Sequence, residues 1–181
     1  MKFVIGLGNP GEEYKSTRHS IGYEVLDLFA QKQGMEFELK KDLQAYIAKK
    51  DDLVLIKPTT YMNDSGEAAR QVVNYFAKEL LKEAELKNLW LVHDDLDLKL
   101  GQLKLVFDSG PKIHNGVNSV RDELGTQAFW YVRLGIDGRT PDNCIPAHDY
   151  VLMKFEDSEQ AVVKEMTETA VSKLYATLSA T

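Results

Sequence analysis

Histidine, aspartate and asparagine side chains recur in four short polar segments of this 181-residue chain. The candidates for chemistry in these segments are Asn9, His19, Tyr61, Asn63, His93, Asp94, His114 and Asn115. A histidine paired with an aspartate can activate water as a general base. Asparagine amides can hold a carbonyl group and the oxyanion formed from it. These residue types therefore favour direct hydrolysis of an activated ester, a reaction that needs no metal.

The sequence does not support covalent catalysis, and we reject dinucleotide binding. We find no serine nucleophile motif, and the single cysteine, Cys144, falls in a predicted loop without a local signature. The glycines at positions 6, 8 and 11 formally match a dinucleotide fingerprint. However, Pro10 follows where a helix should begin, and Asp27 falls inside a predicted helix instead of ending a second strand. A plain strand exit with a capping histidine is an alternative for this stretch.

The segment from His93 to Asp97 contains four ionisable residues in five positions: His93, Asp94, Asp95 and Asp97. Such a group resembles a metal site, or a site where a carboxylate orients an imidazole. Because alternate residues of a strand point to opposite faces, the four side chains cannot all converge.

Apolar runs and helical periodicity predict the elements that must position these residues. Strands are predicted at residues 3–7, 37–39, 45–48, 53–56, 89–92, 98–107 and 129–136, with a hairpin turn at 49–52. Helices are predicted from residue 19 to Gly34, from a cap at Asn63 or Ser65 to about residue 81, and over 117–124 and 157–178. Residues 137–148 are predicted to be an irregular loop. The pattern is that of an α/β chain with polar residues at strand ends.

The composition is that of an ordinary globular protein, with 44% hydrophobic and 28% charged residues. The length suits one domain over residues 1–181. No apolar run approaches the ~20 residues of a membrane-spanning helix, and the amino terminus enters a strand without a signal peptide. One cysteine excludes an internal disulfide and suits a reducing compartment, so we expect a cytoplasmic protein.

The net charge of −6 argues against general affinity for nucleic acids. Residues 98–139 nevertheless carry six basic and four acidic side chains. A locally basic face on an acidic body could hold a few phosphates but would not coat a duplex. An ordinarily solvated surface explains the charge equally well.

The chain resembles bacterial-type peptidyl-tRNA hydrolase over nearly its whole length. Five ordered motifs carry the resemblance, at residues 6–14, 17–22, 57–66, 93–97 and 114–116. The family cleaves the ester between a peptide and the tRNA that carries it. The resemblance implies a single three-layer α/β/α domain with a mixed, mostly parallel central sheet. It also implies a monomer that needs no cofactor, metal or membrane and binds the acceptor end and terminal nucleotide of peptidyl-tRNA.

The resemblance also assigns three catalytic residues. His19 would be the general base, and Asp94 would keep its imidazole in the accepting form. Asn9 would contact the first amide of the peptide and so separate blocked from unblocked aminoacyl-tRNA.

Five further residues would bind the substrate, again by resemblance. Asn63 and Asn115 would hold the ester and the terminal nucleotide. Tyr14 and Tyr61 would line the same groove and could stack on a base. Arg133 would meet phosphate, which its planar fork matches well.

The chain departs from the family pattern at several positions. Lys112 and Ile113 replace two glycines before the motif of His114, so this loop must follow another path or narrow the groove. Ser20 stands where the family commonly has an asparagine. Tyr131 stands where the family often has a second arginine, and Val106 stands where it often has a basic residue. Phosphate binding is therefore weaker or relocated to Lys104, Lys112 or Arg139.

Two rival hypotheses remain open at this point. The chain could hold structured RNA or a tRNA end without turning it over, as the altered loop and acidic charge suggest. Retention of Asn9, His19 and Asp94 together argues against simple binding. It could also be a metal-dependent hydrolase that uses the four ionisable residues between His93 and Asp97.

Overall fold

The strands of this chain form one mixed sheet in the computed structural model, which describes residues 1–143 and 145–180. In chain order they are β1 (Lys2–Gly6), β2 (Glu38–Lys40), β3 (Ala45–Lys50), β4 (Leu53–Pro58), β5 (Leu86–Lys99), β6 (Leu103–Phe107) and β7 (Phe129–Asp137). The α-helices are α1 (Ile21–Gln33), α2 (Ser65–Ala77), α3 (Asn115–Leu124), α4 (Ala147–Leu152) and α5 (Gln160–Ala180).

The sheet has the strand order β2-β3-β4-β1-β5-β7-β6. Its centre is parallel, because β1 pairs with β4 and β5, and β5 pairs with β7, all in parallel register. Antiparallel partners complete both edges, with β3 and β2 beside β4 and with β6 beside β7. The structure confirms the expected mixed, mostly parallel sheet.

Each face of the sheet has its own hydrophobic core. Val4 packs with α1 and α5 on one face, whereas its neighbours Phe3 and Ile5 pack with α2 and α3 on the other. This alternation is the two-residue period of a strand buried on both sides. The result confirms the predicted single three-layer α/β/α domain.

Several boundary predictions are confirmed. The hairpin of β3 and β4 turns at Asp51 and Asp52, and α1 ends at Gly34, which adopts a left-handed conformation with φ of 62°. Glycine suits that position because it lacks a Cβ atom that would clash. The prediction that Asn63 or Ser65 caps α2 is wrong, since Asp64 is the N-cap residue and no side chain caps that helix.

The predicted strand at 98–107 is also wrong, because it is two strands. β5 runs on to Lys99, a turn at Leu100 and Gly101 follows, and β6 begins at Leu103. The segment from His93 to Asp97 therefore lies inside β5 and not beyond its end. The reason is its neighbour: pairing with β1 stops at Val92, but pairing with β7 continues to Lys99.

The predicted irregular loop at 137–148 leads into a short helix that the sequence pattern missed. α4 has six residues, too few for helical periodicity to identify. The predicted loop position of Cys144 lies outside the described residues. None of the helices in the described part of the chain is long and apolar enough to cross a membrane.

Candidate active site

Close backbone packing places the start of α1 against the end of β1 and the middle of β5. A Cβ atom at Gly22 would lie 2.5 Å from the carbonyl oxygen of Val92 and 2.6 Å from the nitrogen of Leu7. Only glycine permits this approach without displacing backbone. The 3-10 turn Arg18–Ser20 immediately precedes this contact, and it presents His19 to β5.

One carboxylate oxygen joins two histidines at this point. Asp94 Oδ1 lies 2.9 Å from His19 Nδ1 and 2.9 Å from His114 Nε2. The Asp94 side chain is 2% exposed, whereas that of His19 is 13% exposed. A buried carboxylate is thus held by two imidazoles, one of which reaches the surface.

The hydrogen bonds of His114 fix which of its nitrogens carries the proton. His114 is the N-cap residue of α3, and its Nδ1 accepts a hydrogen bond from the Val117 backbone N–H at 3.2 Å. The neutral ring therefore carries its proton on Nε2 and donates it to Asp94. His19 likewise donates from Nδ1 to Asp94, which leaves its Nε2 as a hydrogen-bond acceptor.

The charges and hydrogen bonds among these three side chains shift the pKa values of His19 and Asp94. Burial tends to lower the pKa of His19, but the charge and hydrogen bond of Asp94 outweigh burial and raise that pKa above 6.5. Burial tends to raise the pKa of Asp94, but the two histidines outweigh it and hold that pKa well below 3.8. Asp94 is therefore ionised at neutral pH, and the pKa of His19 is shifted toward the working range of a general base.

The four ionisable residues from His93 to Asp97 diverge, as alternation along a strand requires. The wholly buried His93 donates from Nδ1 to the Asp94 carbonyl at 2.7 Å, and burial together with nearby His114 lowers the pKa of His93 to about 3. Asp95 accepts a hydrogen bond from Arg133 Nε at 2.6 Å, and Asp97 accepts one from the Lys112 backbone N–H. These four side chains do not form a common ligand set.

A cavity of about 500 Å³ opens in front of His19. It brings together most of the residues predicted for the site: Asn9, His19, Tyr61, Asn63, Asp94 and Asn115. Leu96, Ile113, Val151 and Leu152 form an apolar part of its wall. The volume lies in the range of small-molecule sites.

Tyr14 and Arg133 lie outside the lining of this cavity. The Tyr14 ring meets the edge of the Tyr61 ring at a centroid distance of 6.4 Å, so it supports the rim. Arg133 lies on β7 and points its Nε at Asp95, and its Nη1 donates to the Ser109 carbonyl at 3.4 Å.

Asn9 is oriented by the backbone of the neighbouring loop. Its Oδ1 accepts a hydrogen bond from the Met62 N–H at 2.8 Å. With the oxygen engaged, the Nδ2 group is the part of Asn9 that can donate to a substrate carbonyl. Met62 is nearly buried in the core around α2 and also lines the cavity.

Comparisons with known proteins identify the family to which this site belongs. A model of the peptidyl-tRNA hydrolase family matches residues 3–181. The chain belongs to the peptidyl-tRNA hydrolase family. It is therefore an enzyme of the hydrolase class that acts on the ester bond of peptidyl-tRNA.

Individual relatives agree with this family. The chain is 38% identical over 176 residues to a peptidyl-tRNA hydrolase from Thermodesulfovibrio yellowstonii, covering 96% of this chain and 90% of the relative. It is 39% identical over 181 residues to a peptidyl-tRNA hydrolase from Oceanobacillus iheyensis, covering 97% of this chain and 91% of that relative. The crystal structure of peptidyl-tRNA hydrolase from Acinetobacter baumannii has the same fold, with a TM-score of 0.84 at 24% identity, covering 99% of this chain and 89% of that one.

The departures from the peptidyl-tRNA hydrolase pattern are accommodated locally. Ser20 Oγ accepts a hydrogen bond from the Asn9 backbone N–H at 3.4 Å. Tyr131 is buried, and its hydroxyl accepts from Arg121 Nε and donates to the Gln127 carbonyl. Val106 packs against the core beside α2 and α3. Ile113, in place of a glycine, is 85% exposed and lines the cavity in front of His19.

Sequence reasoning left one residue of this site without a role and overlooked a buried residue beside it. It counted His114 among the candidates but gave it no role, because its pairing with Asp94 depends on where α3 begins. It missed Arg18, which immediately precedes His19, is 1% exposed and forms an ion pair with Glu159 at 2.6 Å. The Arg18 guanidinium also lies over the rings of Tyr150 and Phe155. No sequence period marks an arginine buried by such contacts.

Proposed function

We propose that the chain hydrolyses peptidyl-tRNA by direct attack of a water molecule activated by His19. The observation that supports this proposal is the hydrogen bond of His19 Nδ1 to the buried Asp94 carboxylate at 2.9 Å. That bond leaves Nε2 to accept a proton from water, and the carboxylate stabilises the imidazolium that forms. The peptide and the free tRNA are the products.

We propose that His114 is a positioning residue in this reaction. Its Nε2–H donates to the same Asp94 oxygen that binds His19. The second hydrogen bond fixes the direction of the carboxylate, because the ring itself is anchored to the first turn of α3. Asp94 then constrains both the tautomer and the orientation of His19.

Three asparagines are the proposed contacts to the reacting part of the substrate. Asn9 would donate to the carbonyl of the first peptide bond, which an unblocked aminoacyl-tRNA lacks. Asn63 and Asn115 would hold the ester and the terminal nucleotide, since both line the cavity and are exposed. Amide donors aimed at a developing oxyanion lower the barrier of acyl transfer.

Aromatic and basic residues are the proposed contacts to tRNA. Tyr61 is 61% exposed and is supported by Tyr14, so it offers a face on which a base can stack. Arg133 would meet a phosphate through its outer nitrogens. Lys104, which pairs with Arg133 in the β6–β7 register, extends a basic surface along that edge.

The proposed reaction uses neither a metal ion nor a covalent intermediate. His19, Asp94 and His114 have potential ligand atoms within 4.8 Å of one another, so their spacing alone would allow an ion. However, His114 Nδ1 already accepts a backbone hydrogen bond, and its Nε2 proton lies between the ring and Asp94. An ion would have to displace that proton, so the donor set suits a hydrogen-bond network better.

The test is to incubate the protein with N-acetyl-aminoacyl-tRNA and, separately, with unblocked aminoacyl-tRNA in excess chelator. We expect rapid release from the blocked substrate only. If chelator abolished release, the metal-dependent hypothesis would replace this one. If the tRNA were retained on a filter without release, the chain would be a binding protein.

We further propose that the enzyme acts as a cytoplasmic monomer. The cytoplasmic part rests on the single cysteine, which suits a reducing compartment, and the monomer rests on the family resemblance. Sedimentation equilibrium at micromolar concentration should give the mass of one 20.5 kDa chain. Cell fractionation should recover the activity in the cytosolic fraction.

A further inference from the structure

The turn that carries His19 is held from outside by the carboxyl-terminal part of the chain. It is a 3-10 turn of only three residues, and no side chain caps its start. The Arg18 backbone N–H donates to the Met153 carbonyl at 2.9 Å, and Thr17 forms an isolated antiparallel bridge with Lys154. The position of His19 therefore depends on the segment that connects α4 to α5.

The Arg18 side chain adds a second connection to the same part of the chain. Its two outer nitrogens donate to the two carboxylate oxygens of Glu159 at 3.1 and 2.6 Å. The central carbon of the guanidinium lies 4.2 Å from the centre of the Tyr150 ring and 4.7 Å from the centre of the Phe155 ring. A paired fork against two aromatic rings fixes the direction of the side chain as well as its charge.

Tyr150 extends this connection to the wall of the cavity in front of His19. It belongs to α4, and its hydroxyl donates to the Ile136 carbonyl at 3.1 Å and accepts from the Gly138 N–H at 3.0 Å. These bonds fix α4 to the end of β7. Other residues of α4 line the cavity: Ala147, His148, Val151 and Leu152. Arg18 therefore connects the turn of His19 with the α4 wall of the same cavity.

Stability alone does not account for an ion pair at this place. Arg18 is 1% exposed, and the side chain of Glu159 is 14% exposed. Desolvation of two charges offsets much of their attraction, so apolar residues of similar volume often stabilise a protein equally well. Within the described residues, the buried Nε of Arg18 also has no hydrogen-bond partner, which costs free energy. The ion pair supplies a fixed direction, which apolar side chains would not.

We propose that Arg18 is a positioning residue for the reaction, which holds the turn of His19 and the α4 wall in the geometry that hydrolysis requires. This inference rests on the proposed function, in which His19 is the general base. Arg18 lies outside the lining of the cavity, so it acts through the adjacent His19 and through Tyr150. A displacement of about 1 Å at a reacting group can lower a rate about 10²-fold.

Arg18→Lys tests the direction of the side chain while keeping its charge. Lysine is a point charge without the planar fork that matches a carboxylate and stacks on aromatic rings. We expect kcat for N-acetyl-aminoacyl-tRNA to fall about tenfold per folded molecule. KM should stay nearly unchanged, because the proposed contacts to tRNA are kept. Arg70→Lys is the matched control and should keep the wild-type kcat, since Arg70 is exposed on α2 and bonds the Glu123 carbonyl.

A double variant, Arg18→Met with Glu159→Gln, separates positioning from stability. It leaves no buried charge unpaired, so its melting temperature should stay close to the wild-type value. If Arg18 positions the turn of His19, kcat should nevertheless fall about tenfold. A wild-type kcat in this double variant would overturn the proposal, and so would a wild-type kcat in Arg18→Lys.

An NMR titration of His19 gives a readout that does not depend on turnover. Burial lowers the pKa of His19, but Asp94 outweighs burial and holds that pKa above 6.5. The other titratable groups that face this site are His114, which shares Asp94, and His148 of α4.

The two variants keep the summed charge of positions 18 and 159, so a change in the pKa of His19 reports a change in its distance from Asp94. We expect this pKa to fall in both variants, because His19 moves away from the carboxylate while it stays buried. An unchanged pKa would overturn the proposal. Failure of the wild-type protein to cleave the substrate would instead refute the proposed function, and the titration would still test the position of His19.

Discussion

Asp94 and Asp95 are neighbours on β5 and are almost equally buried, but their side chains point to opposite sides of the strand. Asp94 is hydrogen-bonded to His19 and His114 and lines the cavity in front of His19. Asp95 is paired with Arg133 at 2.6 Å and accepts a hydrogen bond from the Asp97 N–H. The two carboxylates thus differ in the kind of partner that offsets their burial.

The partner decides what each carboxylate can do. A buried charge must be paired to avoid a large desolvation cost. Arginine stays protonated at any accessible pH, so the pair of Asp95 and Arg133 holds a fixed charge distribution. Histidine titrates near neutral pH, so the group around Asp94 can gain and lose a proton while its geometry is kept. Catalysis is therefore expected on the Asp94 side alone.

Replacement of His19 should have the largest effect. His19→Ala removes the proposed general base and should lower kcat for N-acetyl-aminoacyl-tRNA by about 10³-fold. His148→Ala, at an exposed histidine of the cavity rim, should retain most of the activity. Thermal melting should show both variants folded. A His19→Ala rate near the wild-type rate would refute the assignment of the base.

The pH dependence of activity in the Asp94→Asn variant tests whether the Asp94 carboxylate sets the pKa of His19. Wild-type activity requires neutral His19, so kcat/KM should rise with pH through the pKa of His19, which Asp94 holds above 6.5. Without that charge, burial should lower the pKa of His19 and move the rise in activity to lower pH. The plateau rate should fall about 10²-fold, because the imidazolium is no longer stabilised.

Asp95→Asn is the matched control for this pH profile. It changes a carboxylate of the same strand that faces Arg133, so the midpoint of the rise in activity should stay where it is in the wild type. An equal displacement of the midpoint in both variants would mean that the two carboxylates act on His19 through their charge alone.

Two substitutions of His114 distinguish its hydrogen bond to Asp94 from its cap on α3. His114→Ala removes both, and His114→Asn retains a capping side chain that is too short to replace the imidazole at Asp94. Both should lower kcat about tenfold, the value of one hydrogen bond to a charged group. Only His114→Ala should also lose about 1 kcal/mol of unfolding free energy from the missing cap. Full activity in His114→Asn would contradict the positioning role.

Much of the fold could be predicted because it depends on local patterns. The apolar runs of β1, β4 and β7 are dense enough to identify as buried strands, and Gly34 marks a helix end by its backbone freedom. The site could be predicted in outline for a related reason. Asn9, Asn63 and Asn115 each follow a strand or open a helix, and parallel strands bring their carboxyl ends to one edge.

The remaining features depend on neighbours that are distant in sequence. β5 extends past His93 because β7 continues to pair with it, and no residue within β5 signals that length. The bond between His114 and Asp94 requires α3 to start at Asn115. Arg133 was expected to meet phosphate, but its pairing with Asp95 depends on the register of two strands. Such partners follow from topology, which local periodicity does not specify.

The smallest expected effect on activity or binding concerns Arg133, the partner of Asp95. If its outer nitrogens meet a phosphate, Arg133→Gln should weaken tRNA binding about threefold and reduce the slope of log Kd against log salt by about 0.7–0.9. Filter binding in a His19→Ala background would measure both quantities without turnover. Lys173→Gln, on the exposed face of α5, should leave the slope unchanged.

The double variant Arg133→Gln with Asp95→Asn separates phosphate binding from structural support. Arg133→Gln alone leaves the buried Asp95 carboxylate unpaired, which should cost about 3 kcal/mol of unfolding free energy. Removal of both charges should recover most of that stability, since no unpaired charge remains. The reduced salt slope should persist in the double variant, because a phosphate contact depends on the guanidinium and not on Asp95. A wild-type slope in both variants would assign Arg133 entirely to the support of Asp95.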